Sequence, residues 1–335
     1  MTSSLVIQTS FLGDAILTTP LIAELATRGP VDVVTTPTAA PLLANNPAIR
    51  EIFPFAKRGA DAGPLGLWRF ARKLSARSYD AAYLAQGSHR SGALARMAGV
   101  RERIGFDSSS GRVWYTRHVR HDRSQHHAER LWRLAAGNDA PAPTLRPQLF
   151  PGAADRAAAD ALLRNVPHDG ATLVALAPGS IWGTKRWPHF PELAARIAPL
   201  HRIVVLGSAD DAPLAAAIVA AAGASRVLDT TGQLTLLGSA ALLARCAALV
   251  TNDSAPLHLA SATDTPTVAI FGPTVPAFGF GPLAARRATV GLDTLSCRPC
   301  DSHGPHKCPL GHWQCMRDLP VQRLVDSVVE LTATR

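Results

Sequence analysis

Ala247-Ala248-Leu249-Val250-Thr251-Asn252-Asp253-Ser254-Ala255-Pro256-Leu257-His258 runs from a hydrophobic strand through a polar turn directly into a helix. Such a turn suits anions. The first amides of a helix have no internal partners and lie at the positive end of its dipole, so a phosphate placed there is hydrogen-bonded and charge-stabilised together. Asn252, Asp253 and Ser254 are also good N-cap residues, and capping alone would account for them. Two further segments favour a ligand.

The first is Ala177-Pro178-Gly179-Ser180-Ile181-Trp182-Gly183-Thr184-Lys185-Arg186-Trp187-Pro188, between an apolar strand at 173–176 and a helical run at 190–197. Glycines let a backbone approach a ligand, the hydroxyls of Ser180 and Thr184 donate hydrogen bonds, and Lys185 or Arg186 can neutralise phosphate oxygens. The spacing is not that of a Walker loop, and a solvated basic loop is the plain alternative. The second segment follows the strand at 5–8: Thr9-Ser10-Phe11-Leu12-Gly13-Asp14, before an apolar run from Ala15. Asp14 stands where an N-cap is expected, yet a carboxylate at the mouth of a parallel strand can also serve as a general base.

Strand-like runs at 5–8, 31–35 and 81–84 alternate with alanine-rich helical stretches, and the rhythm repeats at 173–177, 203–206, 249–251 and 268–271. Two βαβ series predict two parallel sheets, each covered by helices on both faces. The proline-rich stretch 140–151 reads as the linker, which divides the chain into domains at 1–150 and 151–335. The fold class is therefore α/β, two Rossmann-like doubly wound domains facing a central cleft.

The 335 residues are 47% hydrophobic and 18% charged, enough apolar mass for two cores and unlike a disordered chain. No apolar stretch reaches the roughly 20 residues that span a bilayer, and the start of the chain lacks signal-peptide regions, so a cytoplasmic location is expected. The net charge is +9, with many of the arginines in the first half, among them Arg69, Arg72, Arg77, Arg96 and Arg101. This excess suits an anionic partner. In the absence of a nucleic-acid motif or interleaved aromatics, a phosphorylated glycolipid at an anionic membrane surface is favoured over nucleic acid.

Taken in order, Leu12-Gly13-Asp14-Ala15-Ile16-Leu17-Thr18-Thr19-Pro20, Pro178-Gly179-Ser180 with Lys185-Arg186-Trp187-Pro188, and Thr251-Asn252-Asp253-Ser254 with His258 and Phe271-Gly272-Pro273-Thr274 resemble glycosyltransferase family nine. These are the bacterial heptosyltransferases of the lipopolysaccharide inner core, and the heptosyltransferase II branch is the most similar. The family usually has glycine where Ala255 stands, and Pro256 is unusual. The resemblance implies a GT-B fold whose last helix, about 320–334, folds back across the first domain. It also implies an ADP-heptose donor, an inner-core glycolipid acceptor, and inversion by a single metal-independent displacement. Asp14 would be the base and Lys185 the cation that stabilises the leaving diphosphate. Donor-binding candidates are Ser10, Gly13, Ser180, Thr184, Asp211, Asp253, Ser254, Ala255 and His258.

Asp253 would repel a diphosphate unless its carboxylate turns away, so it is assigned to holding its loop, by capping its own helix. His258 lies one turn beyond Ser254, as a ligand contact or a packed ring. Asp211 stands where a Rossmann acid meets a ribose hydroxyl, or where it would cap a helix. Cys297, Cys300, Cys308 and Cys315 cluster among His303, His306 and His312, which leaves a structural zinc, packed thiols or disulfides open. Other classes with the same framework are another nucleotide-sugar transferase, a sugar-nucleotide epimerase, and a binder of ADP or glycolipid without turnover.

Overall fold

The computed structural model describes residues 2–164, 166 and 169–333, and the chain divides into two compact units, Met1–Phe150 and Pro151–Arg335. The first holds six parallel strands: β1 (Ser4–Gln8), β2 (Val31–Thr35), β3 (Glu51–Pro54), β4 (Ala81–Tyr83), β5 (Glu102–Phe106) and β6 (Arg117–Val119), in the order β3-β2-β1-β4-β5-β6. The second holds β7 (Thr172–Ala177), β8 (His201–Val205), β9 (Val227–Asp229), β10 (Ala248–Asn252), β11 (Thr267–Ile270) and β12 (Arg287–Val290), in the order β12-β11-β10-β7-β8-β9. Counted from its own first strand, the second sheet repeats the order of the first. Both are doubly wound Rossmann-like sheets.

β1, β2, β8 and β10 are buried along their whole length, which is what helices on both faces require of a central parallel strand. β3, β5, β6, β9 and β12 were not legible as hydrophobic runs. They are short, they lie toward the sheet edges, and most carry charges such as Glu51, Glu102, Arg117 and Arg287. Edge strands of this kind resist pairing with other chains, and the same charges hide them in sequence.

The helix Val321–Thr332 buries Val321, Leu324, Val328 and Leu331 in the core of the second unit, with Leu193 and Val290. Its apolar stripe is thus satisfied on that unit's own sheet, whereas the sequence led us to expect it across the first domain. Thr334, at the expected end of this helix, lies outside the described residues. The linker is tied to the first unit, where Thr19 Oγ1 accepts from the Gln148 amide at 2.9 Å and Asn45 Nδ2 donates to the Phe150 carbonyl at 3.2 Å. Among the described residues no helix is long and apolar enough to cross a membrane.

In each sheet the chain leaves the first strand in one direction and returns on its other side, between β1 and β4 and between β7 and β10. Connections on opposite faces leave a crevice at the carboxyl ends of these paired strands, where ligands bind in open α/β sheets. Thr9 to Asp14 follow β1, Pro178 to Lys185 follow β7, and Asp253 and Ser254 follow β10, so all three loops singled out in sequence open onto such a point.

Candidate active site

In the first unit, the turn after β1 is held by Gln8, whose side chain accepts from the Ser10 amide at 3.2 Å and donates to Thr18 Oγ1 at 3.1 Å. From the loop after the neighbouring β4, Gln86 Oε1 accepts from Thr9 Oγ1 at 3.4 Å. Asp14 is the third residue of the helix Leu12–Leu17, not its cap; the cap is Phe11, an exposed aromatic. The carboxylate reaches back, so that Oδ2 accepts from the Phe11 amide at 3.2 Å, while Oδ1 lies 3.2 Å from His127 Nε2. Burial pushes the Asp14 pKa up, but the hydrogen bond and charge of His127, with help from Ser10 and the Phe11 amide, outweigh it and hold the group below the ordinary carboxylate value. Gly13 sits in the same helical turn, one residue before the carboxylate. Lys57 Nζ donates to the Thr9 carbonyl at 2.5 Å, and burial together with Arg58 and Arg90 lowers its pKa. His127 and Gln86 had no signal in sequence, because neither belongs to a motif.

In the second unit, Asn252 joins the ends of β7 and β10: its Nδ2 donates to the Pro178 carbonyl at 2.8 Å and its Oδ1 accepts from the Trp187 amide at 3.2 Å. Lys185 is buried and places Nζ 2.5 Å from Asp253 Oδ2. The same oxygen accepts from Thr274 Oγ1 at 2.7 Å, so one carboxylate binds the loops after β7, β10 and β11 together. Asp253 therefore holds its loop through Lys185 and Thr274, while Ser254, with an extended backbone, is the cap of the helix Ala255–Thr263. The Asp253 amide is not offered to a phosphate, because the strand ladder runs one residue further and this N–H donates to the Ile270 carbonyl at 3.1 Å. Ala255 opens the helix with Pro256 behind it, and a proline has no N–H, so the first turn carries one donor fewer than a turn without proline.

Ser180 Oγ accepts from the Trp182 amide at 3.2 Å, which shapes the loop after β7. Asp211 Oδ2 accepts from the Ser208 amide and hydroxyl, both at 2.9 Å, so the carboxylate caps the short turn after β8. It also leans over the loop after β7: a methyl group built on Gly179 would stand 2.6 Å from Asp211 Cγ. His258 is buried with its ring edge-on to Phe280 at 6.3 Å, a packed histidine.

The cysteine-bearing stretch covers this loop. Thr184 is buried and its hydroxyl donates to the Pro305 carbonyl, the Cys300 amide donates to the Pro273 carbonyl at 2.9 Å, and the Trp182 ring lies 4.6 Å from that of His306. Arg298 anchors the stretch by donating to the Gly272, Leu292, Phe271 (2.9 Å) and Thr274 (3.2 Å) carbonyls. Zinc, packed thiols and disulfides were the open readings of Cys297, Cys300, Cys308 and Cys315, and the structure turns their side chains to separate partners. Cys300 Sγ turns to the Cys297 carbonyl at 3.3 Å, and Cys297 Sγ meets His312 Nε2 at 3.9 Å. Among the described residues no three Cys, His, Asp or Glu side chains converge to hold a metal. None of the five cysteines forms a disulfide, and burial with the neighbouring thiols pushes Cys315 up to about 11.

Comparison with known proteins agrees with this architecture. Residues 67–312 match the model of glycosyltransferase family 9 (heptosyltransferase). The chain is 29% identical to lipopolysaccharide heptosyltransferase 2 of Salmonella typhimurium over 98% of its own length and 97% of that protein. It is 32% identical to lipopolysaccharide heptosyltransferase 1 of Pseudomonas aeruginosa, with 88% and 85% covered. Among solved structures, the ADP-heptose LPS heptosyltransferase II of E. coli superposes with a TM-score of 0.80 at 26% identity, covering 99% of both chains. The chain belongs to glycosyltransferase family 9, the heptosyltransferases.

Proposed function

We propose that this glycosyltransferase moves a heptose from ADP-heptose to the inner core of lipopolysaccharide, in the manner of heptosyltransferase II. The observation that carries the reading is a pair of unlike sites on like sheets: a carboxylate after β1 held below its ordinary pKa by His127 in one unit, and a buried lysine beside a helix terminus after β7 and β10 in the other. Their chemistries are the two halves of one displacement.

The acceptor hydroxyl gives its proton to Asp14 as its oxygen attacks the anomeric carbon. The bond from that carbon to the diphosphate oxygen breaks, and ADP leaves with the electron pair, which inverts the sugar. Negative charge grows on the leaving oxygen. Lys185 and the amides at Ser254 and Ala255 are assigned to stabilise it, with Ser180 beside them, because preorganised donors at a developing charge lower the barrier most. An ammonium has three N–H donors, of which Asp253 takes one; Asp253 thereby aims the lysine. Asp211 over Gly179 is assigned to the nucleotide, and Thr184 to holding the loop that receives it.

The acceptor is a membrane lipid, and the helix Gly63–Ser75 fits an anionic membrane face. It buries Phe70, Ala71 and Leu74 but leaves Leu65 and Trp68 exposed beside Arg69, Arg72 and Lys73. The deciding experiment measures ADP released from ADP-heptose with and without a heptose-bearing lipid acceptor, for the wild type and Asp14→Asn. Acceptor-dependent release that falls at least about 100-fold in the variant, with ADP binding retained, is expected. Sugar conversion without acceptor would identify an epimerase instead, and ADP binding without any turnover a binding protein.

A further inference from the structure

We propose that His127 is a positioning residue for Asp14, fixing the plane of its carboxylate so that the free lone pairs meet the acceptor hydroxyl. This rests on the assignment of Asp14 as the base. His127 opens the helix His127–Ala136, far along the chain from the loop that carries Asp14. That helix is seated by buried Ala128, Leu131 and Leu134, and its start is fixed by His126, whose Nδ1 accepts from the Ala128 amide at 3.1 Å. The imidazole is therefore delivered by a rigid element.

Asp14 Oδ2 is tied to the Phe11 main chain and Oδ1 to His127 Nε2, each at 3.2 Å, and both side chains of the pair are 15% exposed. Two anchors on two oxygens define the orientation of a carboxylate. With the Ser10 side chain as a third partner, the carboxylate still keeps a lone-pair site for a substrate proton. The charged surroundings are cationic or ionisable: Arg130 on the same helix acts on Asp14, His121 faces both His127 and Arg130, with its Nε2 3.3 Å from Arg130 Nη1, Arg123 and Asp122 act on Arg130, and Asp107 on His121. Burial favours the protonated form of this carboxyl group, and a protonated Asp14 cannot act as a base. Burial raises its pKa, and His127 supplies the largest opposing effects through a hydrogen bond and through charge.

The sign of the effect follows. Removing His127 deletes the two largest lowering influences and leaves burial opposed only by Ser10 and the Phe11 amide, so Asp14 holds its proton to higher pH and the acid limb of kcat/KM moves up. The test compares pH profiles of kcat/KM for the wild type, His127→Leu, His127→Gln and Asp14→Asn, with melting and ADP binding as checks of folding. His127→Leu should lose about tenfold or more in kcat, with the acid limb shifted upward and KM for ADP-heptose nearly unchanged. His127→Gln, which keeps a donor, should recover most of kcat with a smaller shift. Profiles of both variants that overlay the wild type, or a glutamine variant no better than leucine, would overturn the proposal; if leucine prevents folding, the glutamine profile decides alone. Full turnover by Asp14→Asn would overturn the base assignment instead, whatever His127 does.

Discussion

Lys185 Nζ stands 2.5 Å from Asp253 Oδ2, and both side chains are only 10% exposed. Two residues from loops after different strands thus neutralise each other at the point where a phosphate site was expected, and Thr274 completes the arrangement from a third loop. Breaking such a pair from one side leaves an uncompensated buried charge. Lys185→Ala should cost about 3–5 kcal/mol of stability, read as a lowered urea midpoint. Replacing both partners, as in Lys185→Met with Asp253→Leu, should return most of that stability without returning transfer. A single variant as stable as the wild type would show that the pair is not buried as a unit.

Gly179 lies so close under Asp211 that any side chain there must displace the carboxylate from Ser208. Gly179→Ala should cost about 1 kcal/mol, the worth of a lost cap, and should weaken ADP binding. In an Asp211→Ala background the same substitution should cost less, since the clash is gone. A double-mutant cycle measures this, and strict additivity would separate the two residues.

The exposed stripe of Leu65, Trp68, Arg69 and Arg72 on the helix Gly63–Ser75 should bind vesicles rich in phosphatidylglycerol. Replacing Leu65 and Trp68 by serine should lower partition about tenfold, from the apolar area withdrawn from the bilayer. Replacing Arg69 and Arg72 should remove about 1 kcal/mol each and most of the salt dependence. Co-sedimentation unaffected by either pair would place the membrane contact elsewhere.

Much of this framework was legible in sequence because it is local. Central strands buried on both faces are continuous apolar runs, and loops between strand and helix are marked by glycine, proline and capping residues; 5–8, 31–35 and 173–177 could be read directly. The charged outer strands such as β5, next to the edge, and β12, at the edge, could not. Their pairing is set by neighbours, not by their own composition.

The cysteines mark the limit of reading by spacing. Their proximity in the chain suggested a metal, but the direction of each thiol depends on how the covering stretch is pinned by Arg298 to the carbonyls around β11 and β12. Nothing in the spacing records that anchor.

By itself, the order of residues determined two winding series of strands and helices and the loops that open onto their carboxyl ends, since hydrophobic period, helix termini and backbone breaks act over a few residues. The tertiary structure alone decided that His127 meets Asp14, that Asp253 turns to Lys185 and Thr274 and not to its own helix, and that Asp211 rests over Gly179. These are contacts between segments remote in the chain, and parallel strands joined by crossovers bring such segments together only when the whole sheet has formed.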